Sequence, residues 1–549
     1  MKKPNLKAPN LKAPKLKAPD LGSIAGGSRT GQSLLAGAAV LALVFGVAEL
    51  RSPVAPAAAG RGGGATTTQV ERTAVVCPPP TQGLIGSTTY SLYTPVGATA
   101  SGGTAQLNDV SPQAVAAAMA PPAAASPQPA GSPQASGSPQ PAGSPAAPQA
   151  AGALVAAAKP GVPATGNATN GESAPGAFAV ATGAYAPGFT VGQTTASEQA
   201  GPALSGVGCL PSGTSFWFAG ASTAGERVDY VTIVNAETVP AVVDVRMYGD
   251  KGLIDNELAS GIAVAPGSWQ SIRLPGLTKG QVNDLAVNVV ARSGRIGAGI
   301  RALDGPRGAD WLQPSADPAA AVTIPGLPGD TATARLVVAA PAEDDADLKV
   351  QVSGKNGWFT PAGHETLHVK AGMTTAVDLG QITRGGEASA IRLSPSDPAH
   401  PTPVVAGLRV DRTNKGKFEA AWISGAAPIG PRASIADNRA GQSQLLLTAV
   451  EGEAKVRVSS SAGTGGGTPA TKEVQIPAGA TVAVEGIDPA GLNGTYGITL
   501  ETLSGGPVVA ARILTVPVKD TPAFTIQPLR DDRSTVRIPT TVDDPGVVQ

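Results

Sequence analysis

Five residues in this chain have the types and spacing of a catalytic metal site. His364-Glu365-Thr366-Leu367-His368 is a literal H-E-x-x-H. Zinc peptidases use that pattern to hold a metal through two histidines while the glutamate activates its bound water. The chemistry needs a helix, because only there do residues i and i+4 meet on one face. The surroundings do not favour one: Pro361-Ala362-Gly363 precedes the motif and Val369-Lys370-Ala371-Gly372 follows it. An internal repeat of the chain aligns the segment with the strand-like ASGIAV and TKEVQI. In a strand, residues four apart lie about 13 Å from each other, too far to share one zinc. The motif therefore reads as a strand from His364 to Val369. Glu365, Leu367 and Val369 would share one face, and His364, Thr366 and His368 the wetter one. No metal site is expected.

Other groups offer chemistry more weakly. Glu343-Asp344-Asp345-Ala346-Asp347 has oxygen ligands suited to calcium, but it lies between two strand-like segments and reads as a solvated turn. Trp217, Trp269, Trp311, Trp358 and Trp422 could stack on sugar rings, although filling a core is the commoner use of tryptophan in a β-sandwich. No GxSxG elbow or GxxxxGK[ST] loop occurs, and three histidines leave little basis for a Ser-His-Asp set. We assign no catalytic, cofactor-binding or metal-binding residues and expect a protein that is not an enzyme. The two cysteines, Cys77 and Cys209, lack CxxC spacing and follow the chain's one long apolar run. In an oxidising compartment they would form one disulfide.

The elements that must carry these residues begin with that run, Ser33 to Ala48, inside an uncharged stretch from Thr30. A helix of about 19 residues is near 28 Å long, enough to cross a hydrocarbon core. Seven Lys or Arg residues precede it against the single acid Asp20, which places the N-terminus in the cytoplasm and the bulk outside. The expectation is a single-pass plasma-membrane protein with a cytoplasmic PxLKA-repeat tail over 1–29, a signal-anchor helix over 30–50 and a linker over 51–68. The alternative is a cleaved signal peptide, with Ala57-Ala58-Ala59 as its site. A formal charge of zero gives no basic field for nucleic acid, and 70 Gly and 51 Pro with 3% aromatics suit short strands and turns.

Residues 69–215 read as a β-rich region interrupted over 111–176 by a disordered Pro/Ala/Ser/Gln-rich insertion, whose SPQPAG-type repeat begins at Ser126. Beyond it the chain repeats at about 105 residues. VAPGSWQSIRL, VKAGMTTAVDL and IPAGATVAVEG are three copies of one hairpin. Each is followed by a second landmark that closes on an arginine, Arg301, Arg409 or Arg512. Six or seven short strands per repeat is the sandwich pattern. The fold class is thus mainly β, with tandem immunoglobulin- or fibronectin-like sandwich modules over 216–320, 321–425 and 426–549, the last including a C-terminal tail.

The anchor, Cys77-Pro78-Pro79-Pro80, Cys209, SFWFAG from Ser215 and RVDYVTIVNAETVPAVVDVRMYG from Arg227 together resemble an actinobacterial family of unknown function. PGSWQSIRL from Pro266, ADWLQP from Ala309 and the AAW ending at Trp422 extend the resemblance. It implies a single-pass or secreted β-rich envelope protein, encoded beside a membrane glycosyltransferase. The reading is a non-catalytic scaffold or accessory of envelope glycosylation or wall assembly, with a membrane glycosyltransferase or cell-wall glycan as partner. The alternatives are a carbohydrate-binding module array, which requires two or more tryptophans exposed on one face, and an unrecognised hydrolase, which requires a pocket with perturbed carboxylates.

Overall fold

Strand follows strand from Thr66 to Ile538 in a computed structural model that describes residues 66–538 apart from 82, 121–152, 169–173, 199–201, 384 and 415. The expected tail over 1–29, the anchor over 30–50 and most of the linker lie outside the described residues. No helix among the described residues is long and apolar enough to cross a membrane. The chain divides at residues 66 and 538, and residues 67–537 form one compact unit, the second of two. The second unit holds the β-modules.

Its strands form eight sheets of four or five strands and one two-stranded ribbon. The ribbon pairs β1 (Thr66–Gln69) with β36 (Thr535–Ile538). Module I begins with β2 (Arg72–Cys77), β3 (Ser87–Tyr93), β4 (Ala105–Asp109) and helix α1 (Pro112–Met119). It continues through β5 (Val155–Ala156), β6 (Ala164–Asn167), β7 (Ala177–Thr182), β8 (Thr190–Ser197) and β9 (Ala203–Gly208). Module II has β10 (Ser215–Ala221), β11 (Arg227–Asn235), β12 (Ala241–Gly249), β13 (Gly252–Ile254) and β14 (Ile262–Val264). Then come β15 (Ser268–Arg273), β16 (Leu285–Ser293), β17 (Gly297–Asp304) and β18 (Ala309–Leu312). Module III has β19 (Val322–Leu327), β20 (Thr331–Ala339), β21 (Ala346–Gly354), β22 (Gly357–Phe359) and β23 (Thr366–Val369). It ends with β24 (Thr374–Gly380), β25 (Ser389–Pro395), β26 (Val405–Asn414) and β27 (Lys417–Ser424). Module IV has β28 (Arg432–Asn438), β29 (Ser443–Ala449), β30 (Ala454–Ser460) and β31 (Thr471–Ile476). Its last four are β32 (Thr481–Val484), β33 (Tyr496–Gly505), β34 (Val508–Val518) and β35 (Thr521–Pro528).

All four modules share one strand order. In module IV it is β28-β33-β30-β31 in one sheet and β32-β29-β34-β35 in the other. Module I repeats it as β2-β7-β4-β5 and β6-β3-β8-β9. Modules II and III add one short strand, β13 or β22, beside the third strand of the first sheet. The sequence predicts three modules after an irregular β-rich region, whereas the structure shows four. Module I escapes the repeat because the low-complexity block interrupts its third-to-fourth connection, although its hairpin keeps the x-Gly turn as Pro160-Gly161, with Gly161 at a φ of 81°. The expected insertion over 111–176 is also too wide. Ser111 caps α1 by accepting the Ala114 N–H at 3.2 Å, and Val115 is buried beside Val234 and Ala236 of module II. An alanine-rich segment holds a helix here because a neighbouring module covers its apolar side. Val155–Ala156 and Ala164–Asn167 then add strands to both sheets.

The modules pack in a closed cyclic order. The last strand of each touches that of the next: β9 on β18, β18 on β27, β27 on β35, and β35 back on β9. First strands follow the same rule, with β10 on β26, β19 on β34 and β28 on β8. Between modules I and II the contact is Val76 against Gly297, where an added Cβ would lie 2.8 Å from a Val76 methyl. This closure explains the apolar character of VVAARIL in β34. Leu445, Leu447 and Ala510 belong to the core of module IV, while Leu446, Ala511 and Ile513 belong to that of module III. A strand buried on both faces loses the alternation of a half-exposed one.

Candidate functional site

The H-E-x-x-H does not assemble a metal site. Strand β23 starts at Thr366, so His364 and Glu365 lie in the preceding turn, where the Glu365 carboxylate accepts the Gly363 N–H at 2.9 Å. Glu365 is exposed, not turned to the side of Leu367 and Val369, which enter the module III core. His368 stands on the exposed face beside its cross-strand partner Asp347, 2.8 Å away, and 3.4 Å from Asp345. The acidic run therefore pairs with a histidine and caps a turn, Asp345 accepting the Ala371 N–H at 2.8 Å. No group of three or more His, Cys, Asp or Glu among the described residues could hold a metal ion. Cys77 and Cys209 are joined in a disulfide that closes 132 residues of chain.

Polar side chains converge instead at the module junctions. Between modules II and III lies a cleft of about 480 Å³ lined by Ser222, Arg227, Asp284, Asp304, Arg335 and Arg409, among others. Arg335 of module III grips Asp284 of module II with two bonds of 2.9 and 2.6 Å and adds Asp378 at 2.6 Å. Arg409 reaches across to Asp304 at 2.8 Å. Arg227 holds the fully buried Asp229 at 2.6 Å and stacks 4.9 Å above Trp422 of module III. Burial pushes Asp229 up to about 6 against the opposing pull of Arg227. Each of these arginines has its own carboxylate, so the cleft is a rigid, charge-balanced seam.

A second cavity, of about 450 Å³, opens as a bowl where the chain passes from one module to the next. Residues Cys209–Gly213, Gln313–Asp317, Ala427–Pro428 and Gln527–Arg533 meet there, so modules I, II and IV contribute together with the connections on either side of module III. Arg432 holds Asp532 at 2.7 Å, and Ser434 donates to the same carboxylate at 3.0 Å. Arg530 donates to the Pro314 carbonyl, and burial lowers its guanidinium to about 10. The chain also enters and leaves this unit beside the bowl: the Val70 N–H donates to the Ser534 carbonyl at 3.0 Å, one residue from Arg533.

Against this geometry, the profile of a family of unknown function, DUF5719, matches residues 165–486. The chain belongs to that family. No curated protein and no solved structure matches it. The DUF5719 match begins within β6 and ends just after β32, so it holds modules II and III whole and cuts through I and IV. Strands β34 and β35, which seal module III and return to module I, lie beyond it.

The residues that the sequence did not single out for a role sit where the ring closes. Asp310 in β18 is fully buried. Its carboxylate accepts the Gly206 N–H of module I at 3.0 Å, the Trp311 N–H at 2.8 Å and the Thr525 hydroxyl of module IV at 2.9 and 3.0 Å. Burial pushes it up to about 8. One acid thus ties three modules. The three repeat arginines are not equivalent. Arg301 and Arg409 pair across their sheets with Trp311 and Trp422 and face the preceding module. Arg512 lies opposite Leu445, which belongs to the module IV core, and donates to the Asp437 carbonyl at 2.5 Å. The tryptophans serve packing: Trp217, Trp311 and Trp422 are buried, and Trp269 and Trp358 are partly buried. No pair of exposed tryptophans, which sugar stacking would need, forms among the described residues.

Proposed function

We propose that this chain is a non-catalytic, membrane-anchored extracytoplasmic scaffold of immunoglobulin- or fibronectin-like modules that assists envelope glycosylation or wall assembly in an actinobacterial cell. The observation that carries the reading is the cyclic packing of four modules, with shifted, buried ionisable groups such as Asp229 and Asp310 engaged at module junctions. Such an assembly holds surfaces in fixed relative positions, which suits a platform. The Cys77–Cys209 disulfide fits an oxidising compartment. The bowl, lined by modules I, II and IV and by the connections on either side of module III, is our choice for the docking face, since the chain enters this unit beside it. Its partner is a membrane glycosyltransferase or the wall glycan it builds. Cross-linking in intact cells, with photoreactive residues at Ser212, Asp317 and Arg533, tests this. Adducts to a membrane glycosyltransferase or to wall glycan are expected; adducts confined to cytoplasmic proteins would refute it.

A further inference from the structure

Arg301 is fully buried between modules I and II, and its Nε, Nη1 and Nη2 all lack a hydrogen-bond partner. The nearest acid to consider is Asp310, but both of its oxygens are already taken by Gly206, Trp311 and Thr525. A buried guanidinium without an acceptor costs several kcal/mol, so something must satisfy it. Three further buried groups around it are also unpartnered. Trp311 Nε1 belongs to the ring on which the Arg301 guanidinium stacks at 4.3 Å. The Tyr90 hydroxyl of module I is close enough to Arg301 for their charges to interact. Gln193, the cross-strand partner of Tyr90, has an unpartnered side-chain amide. The set is rich in donors: a guanidinium, an indole N–H, a phenol O–H and an amide NH₂ outnumber the two unpartnered acceptors, the Tyr90 hydroxyl oxygen and the Gln193 carbonyl oxygen. Burial pushes Asp310 up to about 8 and lowers Arg301 to about 9, so the acid is a weakened partner for the guanidinium.

We propose that modules I and II enclose a structural site for one small monovalent inorganic anion of the halide class, bound by Arg301 with Tyr90, Gln193 and Trp311. All four side chains are at most 1% exposed, which suits a monatomic ion rather than a phosphate or a sugar. Bound there, the ion neutralises the guanidinium and locks the first junction of the ring. Anything that binds only the folded state raises stability with its concentration. The test uses the full-length chain, unfolded thermally in sodium chloride and in sodium gluconate at equal ionic strength. Chloride should raise the midpoint, and bromide should do the same and give an anomalous diffraction peak within hydrogen-bonding reach of the Arg301 guanidinium. The chloride dependence should vanish in Arg301→Met and weaken in Tyr90→Phe, which retains the charge and guards against a misfolded first variant. Equal midpoints in both salts, or water with no bromide signal at Arg301, would overturn the site.

Discussion

The junction between modules I and II and that between modules III and IV solve one problem in opposite ways. In both, the seventh and eighth strands of one module cover the open side of the module before it. At the first, those strands bring Arg301 and Trp311 against module I, where guanidinium, indole, phenol and amide are all buried. At the other, β34 and β35 bring Ala511, Ile513, Phe524 and Ile526, which merge with Ile324 and Leu408 into a single apolar core. The junction between II and III is intermediate, with ion pairs such as Arg409 to Asp304 around a buried tryptophan. Backbone geometry alone therefore sets the seam, and side chains decide whether it is dry or charged. An apolar seam rests on burial, at about 1.5–3 kcal/mol for each large side chain. A polar one depends on every member being satisfied.

A charge placed in the dry junction should have the largest effect. Ile513 is 3% exposed, and Ile513→Arg would bury a charge with no acceptor. A loss of more than about 4 kcal/mol is expected from urea unfolding of the full-length chain. Removing the disulfide comes next. Cys77→Ala combined with Cys209→Ala releases a loop of 132 residues, and a loss of about 2–5 kcal/mol is expected by the same measurement.

Acid titration separates the polar seams from the dry one. Asp310 holds its proton up to about 8 in the folded chain, against 3.8 ordinarily. Between those values the unfolded chain binds fewer protons, so this group's contribution is fully present below about pH 4 and is lost as pH rises through 8. Asp229, at about 6, adds to the same slope. Asp310→Asn should flatten the fall in unfolding free energy between pH 5 and pH 8; an unchanged slope would assign it to other groups. The smallest effect is expected at the histidine motif. Glu365→Gln alters an exposed turn, and the unfolding midpoint should stay where it is. Stoichiometric zinc lost from a His368→Ala protein would contradict that placement.

Much of the fold was legible in residue patterns, for reasons that also explain the failures. The three hairpins with Pro266-Gly267, Ala371-Gly372 and Ala478-Gly479 announce themselves because Gly267, Gly372 and Gly479 all take positive φ. Leu367 and Val369 alternate with exposed residues, so β23 could be read as a strand rather than a helix. Module I could not be read as a repeat, since its strands are parted by low-complexity sequence and its counterpart of the repeat arginines is not an arginine. Ring closure was hidden as well. Asp310 looks like any turn-proximal acid until Gly206 and Thr525 arrive from strands about a hundred and two hundred residues away. Arg512 matched its counterparts in sequence but not in register, because local alignment cannot see which face a strand presents.

Module IV closes on module I, and one engineered bond tests that closure. A Cβ placed on Gly192 in β8 would lie 3.8 Å from the Cβ of Asp437 in β28, well within the range a disulfide spans. The full-length Gly192→Cys, Asp437→Cys chain should yield, under oxidising conditions, a peptide pair joining positions 192 and 437 within a single monomer, alongside the native Cys77–Cys209 pair. Free thiols at both positions, or cross-links only between separate chains, would show that the ring is open.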